Sequence, residues 1–228
     1  MNKEQNSISE IKHVIRHVKA EINNGKFTET ILSEIEVIKE DIALAEADII
    51  VNAANGCGWM GGKRCHSKLH KGVAEHINYY TKGAVEREAL REARKYSHIS
   101  SWIFGHKAGD FFVTSSGGLK CKKIVHAVTM RFPASHSKIE DVTEVVKKIL
   151  EFSSNSGYKS LAFPSLGCGN GGIKREKFRD ILLNEAQYYP ELNIKLYEIT
   201  SYTIQKTSID IVKRCHNGQA NDNRKSDK

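Results

Sequence analysis

Ile49-Ile50-Val51-Asn52-Ala53-Ala54-Asn55 runs from β-forming apolar residues straight into two carboxamides and stops at Gly56. Such a run reads as a strand buried on both faces. It delivers Asn52 and Asn55 to its C-terminal end, where open α/β sheets bind their ligands. A carboxamide donates and accepts hydrogen bonds without charge, so the pair suits hydroxyls, an amide or a water. A second signal lies downstream in Ser165-Leu166-Gly167-Cys168-Gly169-Asn170-Gly171-Gly172, again directly after an apolar run. Glycines this dense let backbone amides converge on an anion beside a helix N-terminus. The segment lacks the Lys-Ser/Thr pair of a P-loop, and a tight strand-to-helix turn also explains its glycines. Together the two strand ends predict one phosphorylated ligand held between them.

Outward from this pair, periodicity supplies the frame. Ile11, Val14, Ile15, Val18 and Ile22 recur at helical spacing behind Ser9, which predicts a helix over 9–24, ended by Asn23-Asn24-Gly25. Residues 35–39 alternate like a strand, 43–47 form a short helical piece, and 48–52 the buried strand. Residues 56–71 are glycine-rich and basic and read as a loop. A helical region follows over 73–94 with a break at Gly83, and its charged second half, Glu86 included, is expected in solvent. Strands are predicted at 111–114, 123–128, 160–164 and 193–199, and helices at 138–152 and 174–188. Strands and helices alternate, so the fold class is α/β with a mixed, mainly parallel sheet. The expected organisation is an N-terminal helical appendage over 1–33, one domain over 34–200 and a C-terminal extension over 201–228 with a disordered end.

The 228 residues carry a net charge of +8. That balance favours polyanionic partners, nucleic acid among them, although a basic surface with no such role is the plainer reading. No apolar run approaches the roughly 20 residues that cross a bilayer, and the first residues are polar, so neither membrane nor secretory signal is expected. The five cysteines are scattered and form no framework. A monomer in a reducing cytoplasm, with no cofactor, is the expectation.

Individual side chains admit two readings each. Asp41 can accept from an exocyclic amine or cap the helical piece after it. Glu75 can act as a base, but a carboxylate in the first turn of a helix is commoner for dipole reasons. Cys57, Cys65, His66 and His70 have the ligand types of a zinc site without a standard spacing, so no metal is expected. Cys168 suits a small turn filler better than a nucleophile. Trp59 and Met60 either cap the ligand or anchor their loop, with anchoring favoured.

At these residues the chain resembles the macrodomain family, the α/β domains that bind ADP-ribose or hydrolyse ADP-ribosyl linkages. The matching segments are Glu40-Asp41-Ile42, Ile49 to Asn55, Gly72-Val73-Ala74, Lys123 to His126 and Leu161 to Gly172, in family order over residues 34–200. The resemblance implies a three-layer α/β/α fold with a cleft across the strand ends. It implies that Asp41 holds the adenine amine and the Ile42 amide a ring nitrogen. Asn55 would meet the distal ribose, with Asn52 beside it. Gly72, Val73 and Ala74 would line a phosphate-side loop. Ser165, Gly167, Cys168, Gly169, Asn170, Gly171 and Gly172 would wrap the diphosphate and proximal ribose, and Tyr202 would stack on adenine.

Several positions depart from the family pattern. The loop after the asparagine strand is longer and basic, and Ala74 stands where some hydrolases have aspartate. The glycine segment looks like that of the subgroup that strips ADP-ribose from carboxylates or DNA bases, yet Met130 and Arg131 stand where that subgroup has a catalytic lysine. Cys65-His66-Ser67 resembles a zinc-binding branch only faintly. The function expected is therefore ADP-ribose binding with hydrolysis of ADP-ribosyl linkages on protein or nucleic acid. Water would attack C1″ or an ester carbonyl, with Asn55 and Glu75 as the catalytic candidates. The alternative is a binding module without turnover.

Overall fold

The computed structural model describes residues 13–23, 26–63, 72–95 and 105–198. Strands β1 (His13–Asn23), β2 (Lys26–Ile38), β3 (Ala47–Asn55), β4 (Phe111–Ser115), β5 (Cys121–Met130), β6 (Ser160–Pro164) and β7 (Asn193–Tyr197) form one sheet in the order β1-β2-β7-β6-β3-β5-β4. The pairs β2–β7, β7–β6, β6–β3 and β3–β5 are parallel, and the outer pairs β1–β2 and β4–β5 antiparallel. The described helices are α1 (Val73–Tyr80), α2 (Ala84–Lys95), α3 (Ile139–Asn155) and α4 (Arg175–Ala186), and a 3-10 turn covers Ile42–Leu44.

Side-chain alternation sorts the core into two layers. Ile49 and Val51 of β3, Val125 and Ala127 of β5, and Leu161 and Phe163 of β6 point to the face covered by α3 and α4. Ile50, Ile124 and Ala162, one residue out of phase, meet Ile77 of α1 and Val85 and Ala89 of α2. The result is the expected α/β/α sandwich. Ile49, Ile50 and Val51 are wholly buried, and each such side chain contributes about 1.5–3 kcal/mol by leaving water. A one-residue slip of β3 would exchange its two faces and is strongly opposed.

The expected helix over 9–24 is a strand from His13 onward. Its Val and Ile residues are β-branched and fit a pleated surface better than a helix. Ile15 pairs with Ile35 and Val18 with Ile31, and Ile15 leans on the α3–α4 side of the core. Asn23 pairs with Lys26, so the residues between them are Asn24-Gly25, the dipeptide that favours two-residue hairpins. An N-terminal helical unit ending at 33 is thus replaced by a hairpin whose second strand runs unbroken through that position. The 43–47 helical piece contracts to Ile42–Leu44. The break at Gly83 is present, with φ +77 separating α1 from α2. Glu86, expected in solvent, is buried. Residues 1–12, 64–71 and 201–228, with the expected N-terminal cap, the Cys65, His66 and His70 cluster, Tyr202 and the tail, lie outside the described residues. Among the described residues no helix is long and apolar enough to cross a membrane.

Beneath α2 lies a buried polar stack. The His126 ring sits on Phe112 at 4.5 Å and 3°, and His106 covers the other side of Phe112 at 4.8 Å. Asn52 Nδ2 lies 3.0 Å from His126 Nδ1, and His126 Nε2 lies 2.9 Å from Thr114 Oγ1. Burial pushes the His126 pKa down to about 3 from 6.5, so the neutral ring accepts from Asn52 and donates to Thr114. An unfolded chain binds this proton near pH 6.5, and the folded one only near 3. The stability that comes from a neutral His126 is whole above about pH 6.5 and is lost as pH falls toward 3. Melting temperature should drop between pH 7 and pH 4.5, and a His126→Gln variant should show a shallower drop. Parallel profiles for the two proteins would contradict the assignment.

Candidate functional site

The C-terminal ends of β3, β5, β6 and β7 open into one cleft of about 530 Å³. Parallel strands point their last carbonyls and following loops to the same edge, which is why the loops after β3, β5 and β6 meet there. Their residues line it together with the first turn of α1 and Arg175, the first residue of α4.

The loop after β3 is held by polar groups from elsewhere. Glu86 Oε1 accepts from the Met60 amide at 2.7 Å and the Gly62 amide at 2.9 Å. Asn78 Nδ2 donates to Met60 O, Gly62 O and Glu86 Oε2 at 3.1, 3.3 and 3.2 Å. Met60 is buried and anchors the loop, while Trp59 is exposed on the cleft rim. Asn55 is occupied in the same turn. Its Oδ1 accepts from the Cys57 and Trp59 amides, and its Nδ2 donates to Trp59 O at 2.7 Å. Asn55 lines the cleft, yet most of its hydrogen-bonding capacity is spent on the backbone.

Asn52 does not reach the cleft. It is fully buried and bonded to His126, two residues from Ile50 and so on the same α1–α2 face of the pleated strand. Asp41 is likewise absent from the cleft lining. It caps the 3-10 turn through Ala43 N at 3.0 Å, and its other oxygen lies 2.6 Å from His76 Nδ1. Gly72 to Glu75 form the start of α1 and line the cleft. Glu75 Oε2 accepts from the Gly72 amide at 3.2 Å, a capping contact, and its place in the first turn of α1 is the one the dipole reading expects. Amides in the first turn of a helix have no intrahelical acceptor, so those of Val73 and Ala74 are available to a ligand.

The loop after β6 supplies the opposite wall. Ser165, Gly167, Cys168, Gly169, Asn170 and Gly171 line the cleft, whereas Gly172 is exposed outside it. The loop closes on itself through Cys168 N to Ser165 O and Ile173 N to Gly167 O, and it is tied to the loop after β5 through Ser137 N to Gly171 O. Among the described residues, no hydrogen bond takes the amides of Gly169, Asn170 and Gly171. A Cβ at Gly171 would stand 2.3 Å from Ser137 Oγ and 2.5 Å from Gly167 O, so only glycine fits there. Burial pushes the Cys168 thiol up to about 11, so it stays protonated at neutral pH and serves as a turn filler. Met130 lines the cleft where the β5 end meets it.

Sequence reasoning missed Glu86, Asn78 and His76. Each sits on a helix and acts on a residue of another element, and nothing local in the sequence marks such a contact.

The sequence profile of the macro domain family matches residues 51–182, more than half of the chain. A protein of Aquifex aeolicus is 32% identical over 156 residues, covering 68% of this chain and 82% of its own. An O-acetyl-ADP-ribose deacetylase of Enterobacter cloacae is 23% identical over 182 residues, covering 79% and 92%. Among solved structures, the Oceanobacillus iheyensis macrodomain with ADP superposes with a TM-score of 0.61 at 19% identity, over 89% of this chain and 98% of that one. A mutant of that macrodomain has been solved with ADPR. The three-layer fold, the matched profile and these relatives agree: the chain belongs to the macro domain family.

Proposed function

We propose that the chain binds ADP-ribose in the cleft at the strand ends. The observation that carries this reading is the set of backbone amides at Gly169, Asn170 and Gly171 with no acceptor among the described residues, on a loop that lines a cleft of about 530 Å³. Backbone N–H groups aimed into one cavity beside a helix N-terminus make an anion site, and a diphosphate supplies the oxygens. The first turn of α1 approaches from the other wall and Arg175 adds positive charge. The cavity lies within the range of about 300–1,000 Å³ that holds small-molecule ligands. The Oceanobacillus iheyensis macrodomain, which shares this fold, has been solved with ADP, and that supports a nucleotide as the ligand class.

Hydrolysis of an ADP-ribosyl linkage, on protein or nucleic acid, is the second reading. Two observations favour it: the name of the Enterobacter relative and the Glu75 carboxylate on the cleft wall. A protonated Cys168 offers no nucleophile, so turnover would rest on a water positioned by the ligand and the cleft. Asn55 would then act by shaping the 55–59 turn, not by proton transfer.

Titration calorimetry with ADP-ribose should show one site. Gly171→Ala should weaken it by at least about tenfold while the chain stays folded, because the new Cβ drives the loop from its place. Unchanged binding in that variant would remove the glycine loop from the site. Incubation with ADP-ribosylated protein and ADP-ribosylated DNA separates the two readings. Release of the modifier supports hydrolysis, and binding of ADP-ribose without release supports the module. Under hydrolysis, Asn55→Ala should lower binding and release together, and a loss of turnover with full binding would return Asn55 to a direct chemical role.

A further inference from the structure

Strand β1 is an edge of the sheet and pairs with β2 along its whole length, from His13 opposite Val37 to Asn23 opposite Lys26. Among the described residues nothing pairs with its other side. Backbone groups of an antiparallel strand turn alternately toward its two neighbours, so about half of those in this 11-residue strand point to the open edge. β2 in turn meets β7 only at residues 36–38. Most of the hairpin is therefore a ribbon of two strands, an arrangement that is marginal in water unless something packs on it.

One face of the ribbon is covered and the other is open. Ile15 and Ile35 pack on the side of α3 and α4, and Ser33 Oγ donates to Leu183 O of α4. Val14 and Val18 stand an odd number of residues from Ile15 and so point the other way. They are 39% and 41% exposed, and Ile31, opposite Val18 in the register, is 55% exposed. Strand edges are commonly guarded by charge or proline. Here residues 14, 16, 18 and 20 carry one charge, Arg16, and Glu34 on β2 already neutralises it. Exposed apolar side chains beside unpaired backbone mark an interaction surface.

We infer that the chain forms a two-fold dimer by antiparallel β1–β1 pairing, which joins two seven-stranded sheets into one, in place of the monomer expected from the sequence. A two-fold contact needs a self-complementary surface, and this edge is one. Full overlap of residues 13–23 with their copy sets Val18 against Val18 of the partner subunit, and Arg16 against Ala20 of the partner subunit. The axis is thus apolar, no like charges meet on the open face, and each Arg16 keeps its own Glu34. β1 lies outside the cleft lining, so the pairing leaves both clefts open.

Sedimentation velocity on the full chain tests it. The parent should pass from monomer to dimer with a dissociation constant that is micromolar or tighter. Like charges directly opposite each other in a strand pair repel, so Val18→Lys and Val18→Glu should each weaken the dimer by at least about tenfold. An equimolar mixture of the two variants should regain it, because lysine then meets glutamate at the axis. Such a rescue requires both variants to be folded and residue 18 to face its own copy. A parent that stays monomeric at every concentration overturns the inference and leaves the edge to the chain's own termini or to another protein. A dimer untouched by either variant, or a mixture that stays monomeric, overturns it as well.

Discussion

The Glu86 carboxylate accepts two backbone amides from the loop after β3 and a third hydrogen bond from Asn78. A buried carboxylate is costly unless its oxygens are satisfied, and hydrogen bonds to a charged group are each worth about 1.5–3 kcal/mol. The loop in turn needs the acid, because residues 60 and 62 are buried or half-buried and their amides must find an acceptor. Each side of this contact therefore stabilises the other. Trp59 stands on the cleft rim because Met60 beside it is pinned, and Asn55 can close the 55–59 turn because the loop returns to the same place.

The remainder of the cleft follows the same logic of backbone groups satisfied from a distance. The glycine loop leans on the loop after β5 through Ser137, and the Arg179–Glu198 pair anchors its first residue, Ser165. Side chains hold the frame, and backbone amides with no acceptor among the described residues are left on the loop that lines the cleft. Such a site favours oxygen-rich anions and offers little acid–base chemistry of its own, in keeping with a protonated Cys168 and a Glu75 that caps its own helix. Binding energy would come from preorganised dipoles that need no rearrangement when the ligand arrives.

Much of this architecture was legible in the sequence. The apolar runs ending in Asn55 and Pro164 identified the buried strands, and alternation placed the helices on both faces. The N-terminal hairpin was not legible from spacing alone, since Val14, Ile15, Val18 and Ile22 satisfy a helical period as well as a strand. The Asn24-Gly25 dipeptide was the local signal that could have decided it. Asn52 was assigned to the ligand because it precedes a strand end, but the pleat turns it inward onto His126. Asp41 caps the 3-10 turn, one of the two roles the sequence offers for it, whereas its bond to His76 depends on α1 packing over that turn, a long-range contact with no local mark. Glu86 read as a solvated charge because the loop it accepts from is remote in sequence.

A crystal structure of the complex with ADP-ribose tests the central claim most directly. The account expects the diphosphate oxygens within hydrogen-bonding distance of the amides of residues 169–171, with Glu86 still bonded to Met60 and Gly62. A nucleotide bound away from these strand ends, or a loop that must leave Glu86 to admit it, would contradict the account.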